Sequence, residues 1–287
     1  MKKGYFHAIL SAFFFGMAGV LVKLALKTGL ASIEIIILQY IISIPLLFLY
    51  IYFADKSRLK LSKQQLTNLA IMGIVGNAPM TIFYYDAFAM LPAPIVTIVL
   101  YTYPFIIFAF NSIVLKQKPG RKMLLIIFIG FIGAMLTLNI FSINNSYSKY
   151  GLLCAFLAAV FFAFMNMYSE KYLYEVDALV INTYSTLFSL IVLSIYNFRN
   201  MGFLSQVDIK LAFNVGLLSL FCEVLPLTLL YSGIKKIGGL KTSILGNLEI
   251  PTAIIFSAII LKEQLVLIQI LGVALIIFTT YKTKKLE

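Results

Sequence analysis

The chain is expected to be an all-α integral membrane protein, with ten transmembrane helices arranged as two inverted five-helix repeats. Three observations carry this expectation. Hydrophobic residues make up 61% of the 287 and charged residues only 12%, whereas ordinary soluble domains carry about a quarter charged residues. The apolar residues gather in runs close to the roughly 20 residues that one helix needs to cross a bilayer. A set of Pro, Thr and Tyr positions recurs at an offset of 147 residues. A soluble fold of this size could not hide so much apolar surface. Ten spans with short loops nearly exhaust the chain, so any function must sit among the helices.

The spans are expected at 4–26, 33–53, 67–90, 94–115, 123–142, 151–169, 178–198, 211–234, 242–261 and 265–281. The first follows Met1, Lys2 and Lys3, a beginning that would suit a secretory leader. The apolar run from Gly4 to Leu26 is too long for one and lacks a clear small-residue cleavage site, so it is read as a spanning helix. Between the third and fourth spans lie only Leu91-Pro92-Ala93-Pro94, where two prolines demand a tight turn.

Charge sets the orientation. With the amino terminus in the cytoplasm, the inner segments hold 17 Lys and Arg residues and the outer segments 5, with Lys23 inside a helix. Basic residues concentrate on the cytoplasmic side of membrane proteins, so both termini are expected inside and the helix count even. The expected location is the plasma or inner membrane. The net charge of +12 is spent in these loops, and no basic patch interleaved with aromatics points to nucleic acid. Cys154 and Cys222 lie inside apolar runs without metal-ligand spacing, and His7 is the one histidine. No metal site, cofactor or disulfide framework is expected.

The internal repeat divides the chain into domains 1–142 and 143–287. Gly4, Ala8, Ala12, Phe14 and Phe15 match Gly151, Ala155, Ala159, Phe161 and Phe162; Pro79, Thr81 and Tyr84 match Pro226, Thr228 and Tyr231; Pro104 and Ile107 match Pro251 and Ile254. Coincidence in a biased composition is the competing explanation, and apolar matches alone would not exclude it. Five helices per half is an odd number, so the second half runs inverted across the membrane. Two halves related by an axis in the membrane plane give alternating access, with a substrate site near the midplane.

The stretch Lys241 to Tyr281 reads KTSILGNLEIPTAIIFSAIILKEQLVLIQILGVALIIFTTY. It resembles the end of an EamA-type domain of the drug/metabolite transporter superfamily, with Glu249, Pro251, Glu263 and Gly272 in the places of that pattern. The first half repeats it more loosely as IVTIVLYTYPFIIFAFNSIVLKQKPG, with Lys116 where the family often has a loop glutamate. The opening helix FFFGMAGVLVK, ending in Lys23, is also similar. The resemblance implies two EamA domains of five helices across the whole chain. That family includes exporters of amino acids and other metabolites; the resemblance is specific for the fold and leaves the cargo open.

Candidate functional residues are those that a lipid-embedded helix has no reason to carry. Glu249 lies about 12 Å into the bilayer, counted from Lys241 at 1.5 Å per residue. A bare carboxylate there is expensive, so it should face a wet cavity, find a partner or hold a proton. Glu223 in the eighth span comes to a similar depth. The two could share a proton or bind a cationic group, which makes protons a candidate coupling ion; a structural hydrogen bond is the duller alternative. Tyr84, Tyr101, Tyr103 and Tyr231 could stack on a planar or cationic solute. Asn166, Gly246 and Asn247, on small or polar stripes at helical spacing, are candidates for the same cavity wall, although close helix packing through small residues explains such stripes equally well. Lys23 and Asp86, near the outer ends of the first and third spans, could pair at an outer gate, or Lys23 could snorkel. Pro79, Pro104, Pro226 and Pro251 lie inside spans and can kink them in matched pairs. Glu263, in a short outer loop, reads as a cap for the last helix.

The function expected is secondary transport of a small metabolite, an amino acid or amphiphilic amine, by export or exchange. No P-loop suggests ATP hydrolysis. A passive channel lacks a recognisable selectivity loop, and a lipid-modifying intramembrane enzyme lacks a catalytic cluster such as HExxH or GxSxG. The partners expected are the small solute and the bilayer. One chain holds both repeats, so a monomer suffices and a weak dimer is compatible.

Overall fold

The computed structural model describes residues 2–114, 116, 119–142, 147–261 and 266–285, with the side chains at 19 and 257–261 outside the description. Every regular element among the described residues is helical. In chain order these are α1 (Lys2–Leu26), α2 (Ser32–Ala54), α3 (Lys63–Met90), α4 (Ala93–Ile113), α5 (Arg121–Thr137), α6 (Lys149–Tyr172), α7 (Ala178–Tyr196), α8 (Ile209–Ile237), α9 (Gly239–Gly246), α10 (Glu249–Leu261) and α11 (Leu267–Lys284). Eight of them, all but α5, α9 and α10, are long and apolar enough to cross a membrane. The α5 helix has 17 residues and stops at Thr137, short of the expected 142. The run expected at 242–261 is two pieces, α9 and α10.

Helix starts are fixed by side-chain caps. Ser62 accepts from the Gln65 N–H while Gln65 accepts from the Ser62 N–H. Ser148, Asp177 and Asp208 accept from Gly151, Leu179 and Leu211. Each cap satisfies a donor that the helix leaves unpaired, for about 1 kcal/mol.

Five of the expected spans are interrupted, and four of the interruptions lie just before a proline. In α3 the turn Met72–Asn77 is a π-helix, and in α8 the turn Ser219–Val224 is another. Pro79 and Pro226 follow immediately, each the second residue of the α-helical segment that resumes. A proline has no N–H to give and its ring collides with the carbonyl one turn back; an extra residue in that turn relieves the collision. In α4 the helix breaks at Tyr101–Thr102, just before Pro104. The α9–α10 break at Asn247–Leu248 precedes Pro251 in the same way. These features repeat at the 147-residue offset or within a residue of it. The break in α1 at Gly16–Met17 has no counterpart in α6, which is continuous.

The helices pack in exchangeable pairs. The α1 helix lies along the later part of α8, and α6 along the later part of α3; α4 packs on α6, and α9 with α10 on α1; α2 pairs with α7 and α5 with α11. Swapping first-half for second-half spans turns each pairing into another on this roster or into itself. The α5–α11 crossing is close: a methyl placed on Gly272 would run into Thr137 and the Gly133 backbone, so only glycine permits that approach.

The interior mixes polar side chains into an apolar core, and large apolar side chains face outward. Gln39, Ser43, Asn77, Asn182, Thr186, Ser189 and Glu223 are buried, while Phe53, Tyr196 and Ile209 are more than 80% exposed. Large apolar side chains left facing outward suit lipid as the outer solvent, and the buried polar groups then need a cavity or partners inside.

One end of the bundle is tied by polar contacts between the halves. Arg58, in the turn after α2, meets Asp177 at the start of α7 with Nη1 to Oδ2 at 3.2 Å. Asn68 on α3 donates to the Tyr172 carbonyl at 3.3 Å and accepts from the Tyr168 hydroxyl at 3.1 Å. Within the second half, Glu170 accepts from the Gly239 N–H at 2.9 Å where α8 turns into α9.

Candidate functional site

A cavity of about 70 Å³ lies between the two halves. At roughly 10–15 Å³ for each water centre it has room for about five waters. Helices α1, α2, α3 and α4 of the first half and α6, α8 and α10 of the second all reach it. The later part of α3 and the early part of α2 place it from the middle of the bundle toward the end opposite the Arg58–Asp177 contact. Phe15, Leu100 and Phe162 supply apolar wall; Gln39, Asn77, Thr81, Tyr84, Glu223 and Glu249 supply polar groups. No Lys, Arg or His is among the described residues that line it.

Two carboxylates therefore face one small space, held differently. Glu223 sits in the π turn of α8, and its Oε1 accepts from the Thr186 hydroxyl at 2.7 Å. The Asn182 amide secures that turn by donating to the Glu223 carbonyl at 3.1 Å, with Val224 O and Thr228 Oγ1 also in reach. Glu249 begins α10, and its Oε2 lies 2.7 Å from the Tyr101 hydroxyl. The same hydroxyl is 2.8 Å from the Gly246 carbonyl, the last of α9. The break before Pro104 turns Tyr101 toward the break before Pro251, so two interrupted helices meet there.

Across the cavity, Asn77 lies in the π turn of α3, within reach of Tyr40 and Thr81 through its Oδ1. Its Nδ2 is buried without a partner. Such a donor costs about 1–3 kcal/mol unless something in the cavity accepts from it. Gln39 accepts from the Tyr85 hydroxyl, and its carbonyl accepts from Ser219 at 2.9 Å, linking α2 to the start of the second π turn.

Of the residues expected in the cavity, Glu249, Glu223 and Tyr84 line it, and Tyr101 stands one hydrogen bond behind. The others lie elsewhere. Tyr103 is tied to the Ser243 carbonyl at 3.0 Å and packs edge-on against Phe162; the absence of a side chain on Gly246 makes room for its hydroxyl. Asn166 donates back to the Phe162 carbonyl of its own helix at 2.8 Å. Asn247, at the α9–α10 break, turns its amide toward Gly130 of α5. Gly246 contributes its carbonyl behind the wall, and Tyr231 is buried outside the cavity. The expected Lys23–Asp86 ion pair does not form: it is absent from the contacts within 4.0 Å among the described residues, which involve Arg58. Asp86 lies near Tyr150 and Cys154 of α6, whereas Lys23 neighbours Lys27. Glu263 lies outside the described residues.

Sequence reasoning missed Gln39, Asn77, Thr81, Tyr85 and Cys222 as lining residues. Gln39 and Asn77 carried a signal, each an amide inside an otherwise apolar run. At Pro45, inside α2, the helix continues unbroken.

A family model described as the EamA-like transporter family matches residues 2–139 and again 149–282. A pseudopaline exporter, CntI, of Pseudomonas aeruginosa is 28% identical over 180 residues, 61% of each chain. The uncharacterized transporter YyaM of Bacillus subtilis is 28% identical over 171 residues, covering 58% of this chain and 55% of that one. These matches span about three fifths of the curated relatives' length. A crystal structure with 15% identity superposes with a TM-score of 0.74 over 98% of both chains, a likeness of fold alone. With two consecutive matches to one model covering nearly the whole length, the chain is a multi-pass membrane protein belonging to the EamA-like transporter family.

Proposed function

We propose that this protein is a secondary transporter that moves a small amine-bearing metabolite, an amino acid or amphiphilic amine, by alternating access. One observation carries the reading: Glu223 and Glu249 share a cavity at the junction of the two halves, with no basic side chain among the described residues that line it. Carboxylates so placed attract a cationic group, and the Asn77 amide and apolar walls suit the remainder of an amphiphilic solute. The relative named as an exporter supports net outward movement of a metabolite.

The architecture proposed is ten spans in two inverted halves, 1–142 and 143–287. The break α9–α10 counts as one span and α5 as another. Support comes from the π turns and breaks that recur at the 147-residue offset, and from helix pairings that map onto one another when the halves are exchanged. The bias of basic residues supports both termini on the cytoplasmic side of the cell membrane. The paired interruptions at Pro79, Pro226, Pro104 and Pro251 are the hinges. In this conformation the tied end is then cytoplasmic, and the cavity leans outward. Protons are the proposed coupling ion, and a monomer is complete.

Purified protein in liposomes loaded with single amino acids or biogenic amines tests the reading. Labelled solute should accumulate by counterflow, and accumulation should respond to an imposed pH gradient. Uptake that saturates nowhere and ignores internal solute would point to a channel. Side-specific labelling that placed the amino terminus and a cysteine at Lys149 in one compartment would overturn the inverted arrangement.

A further inference from the structure

Tyr101 has one phenolic proton and two acceptors at nearly equal distance, Glu249 Oε2 at 2.7 Å and the Gly246 carbonyl at 2.8 Å. A carbonyl cannot donate. With Glu249 ionised, the single proton must serve either the carboxylate or the carbonyl, and the other oxygen faces the phenol without a hydrogen between them. With Glu249 protonated, every contact is satisfied: the acid donates to Tyr101 and Tyr101 donates to Gly246. Glu223 shows the contrast. Its Thr186 donor lies 2.7 Å away, and the competing acceptor, Asn182 Oδ1, is at 3.3 Å. There the hydroxyl has one near acceptor, the carboxylate, and no second oxygen competes for its proton at a similar distance.

We propose that Glu249 is a proton-binding site in this conformation, and that Tyr101 is the positioning residue that ties the bound proton to the end of α9. When the proton leaves to cavity water, the Tyr101 hydroxyl turns to the carboxylate. The Gly246 carbonyl then loses its donor. That carbonyl ends α9 at the break before α10 and has no following helical N–H in register to accept from. Release of one proton therefore frees one strut between α4 and α9, the two interrupted helices of opposite halves. The groups that face Glu249 are Tyr84 on α3, Tyr101 and Tyr103 on α4, and Cys222 and Glu223 on α8. The described parts of α1, α5 and α11 bring no titratable side chain to the cavity.

This deepens the reading of the cavity as a transport site, and its test needs neither cargo nor gradient. Infrared spectra of the purified full-length chain at neutral pH should show the carbonyl stretch of a protonated carboxylic acid. The band should be lost in Glu249→Gln and kept in Glu223→Gln. In Tyr101→Phe it should persist but move to higher frequency, because the acid has lost its hydrogen-bond acceptor; a merely structural tyrosine would leave it in place. Absence of the band, its survival in Glu249→Gln, or an unmoved band in Tyr101→Phe overturns the assignment. A transporter that ignores pH gradients while keeping the band would instead remove proton coupling and leave the binding site standing.

Discussion

Glu223 and Glu249 stand in the second half without acidic partners in the first: at the 147-residue offset Gly76 and Thr102 occupy their places. The cavity is therefore chemically one-sided although its frame is paired. Each glutamate depends on one hydroxyl, and at Glu223 that hydroxyl is Thr186, fully buried. Thr186→Val keeps the shape and removes the donor, leaving the carboxylate to bear its desolvation alone. The loss expected is about 1–3 kcal/mol, seen as a lowered melting temperature of the detergent-purified protein. Pairing it with Glu223→Gln should cost less than the two changes summed, since neutralising the acid removes most of what the hydroxyl answers. Additive losses would show that Thr186 stabilises something else. The glutamates were legible in the sequence because a charge inside an apolar run has few bland explanations. Asn166 and Asn247 were misplaced because helical spacing names a face but not the neighbour it meets: one amide turns back on its own helix and the other faces α5.

For the elements, the chain announced its irregularities through proline but not their form. Pro79 and Pro226 could be expected to bend α3 and α8; that each bend is a π turn depends on how the preceding carbonyls are served. In α8 the Asn182 amide, 41 residues away in sequence, serves them. Pro226→Ala should let the helix close its ladder. An unkinked α8 would gain up to about 3 kcal/mol, and hydrogen exchange across residues 219–224 should slow. Counterflow should fall while thermal stability holds or rises, which separates a hinge from a packing defect; unchanged exchange in that turn would mean that Asn182, not the proline, maintains it. The α5–α11 crossing makes the opposite kind of prediction. Gly272→Leu forces side-chain atoms into Thr137 and the Gly133 backbone, and overpacking of this kind costs about 1–3 kcal/mol. Lower melting temperature and aggregation in detergent are expected, with Gly272→Ala intermediate.

On the scale of the whole molecule, the repeat was readable from aligned Pro, Thr and Tyr residues, and the fold extends it to helix pairings no linear pattern contains. The contact between Arg58 and Asp177 was not readable, since it joins a loop of one half to a helix cap of the other. It is the described ion pair that crosses the halves, at the tied end of the bundle. Both side chains are 39% exposed, so the pair contributes about 0.2–1 kcal/mol and weakens with salt. That is little for folding but enough to shift a balance between two conformations about fivefold, since 1.4 kcal/mol is tenfold. Cys222 lines the cavity and can report the shift. In a Cys154→Ser background, an impermeant maleimide should label Cys222 from the outer face of oriented vesicles. Arg58→Glu should slow outer labelling and speed inner labelling by a few fold, and high salt should move the native protein the same way. The double variant Arg58→Glu with Asp177→Lys restores a pair of reversed sign and should restore the native pattern. If the single variant leaves both rates unchanged, the ion pair is no latch, and the Asn68 contacts with Tyr168 and Tyr172 become the next place to cut.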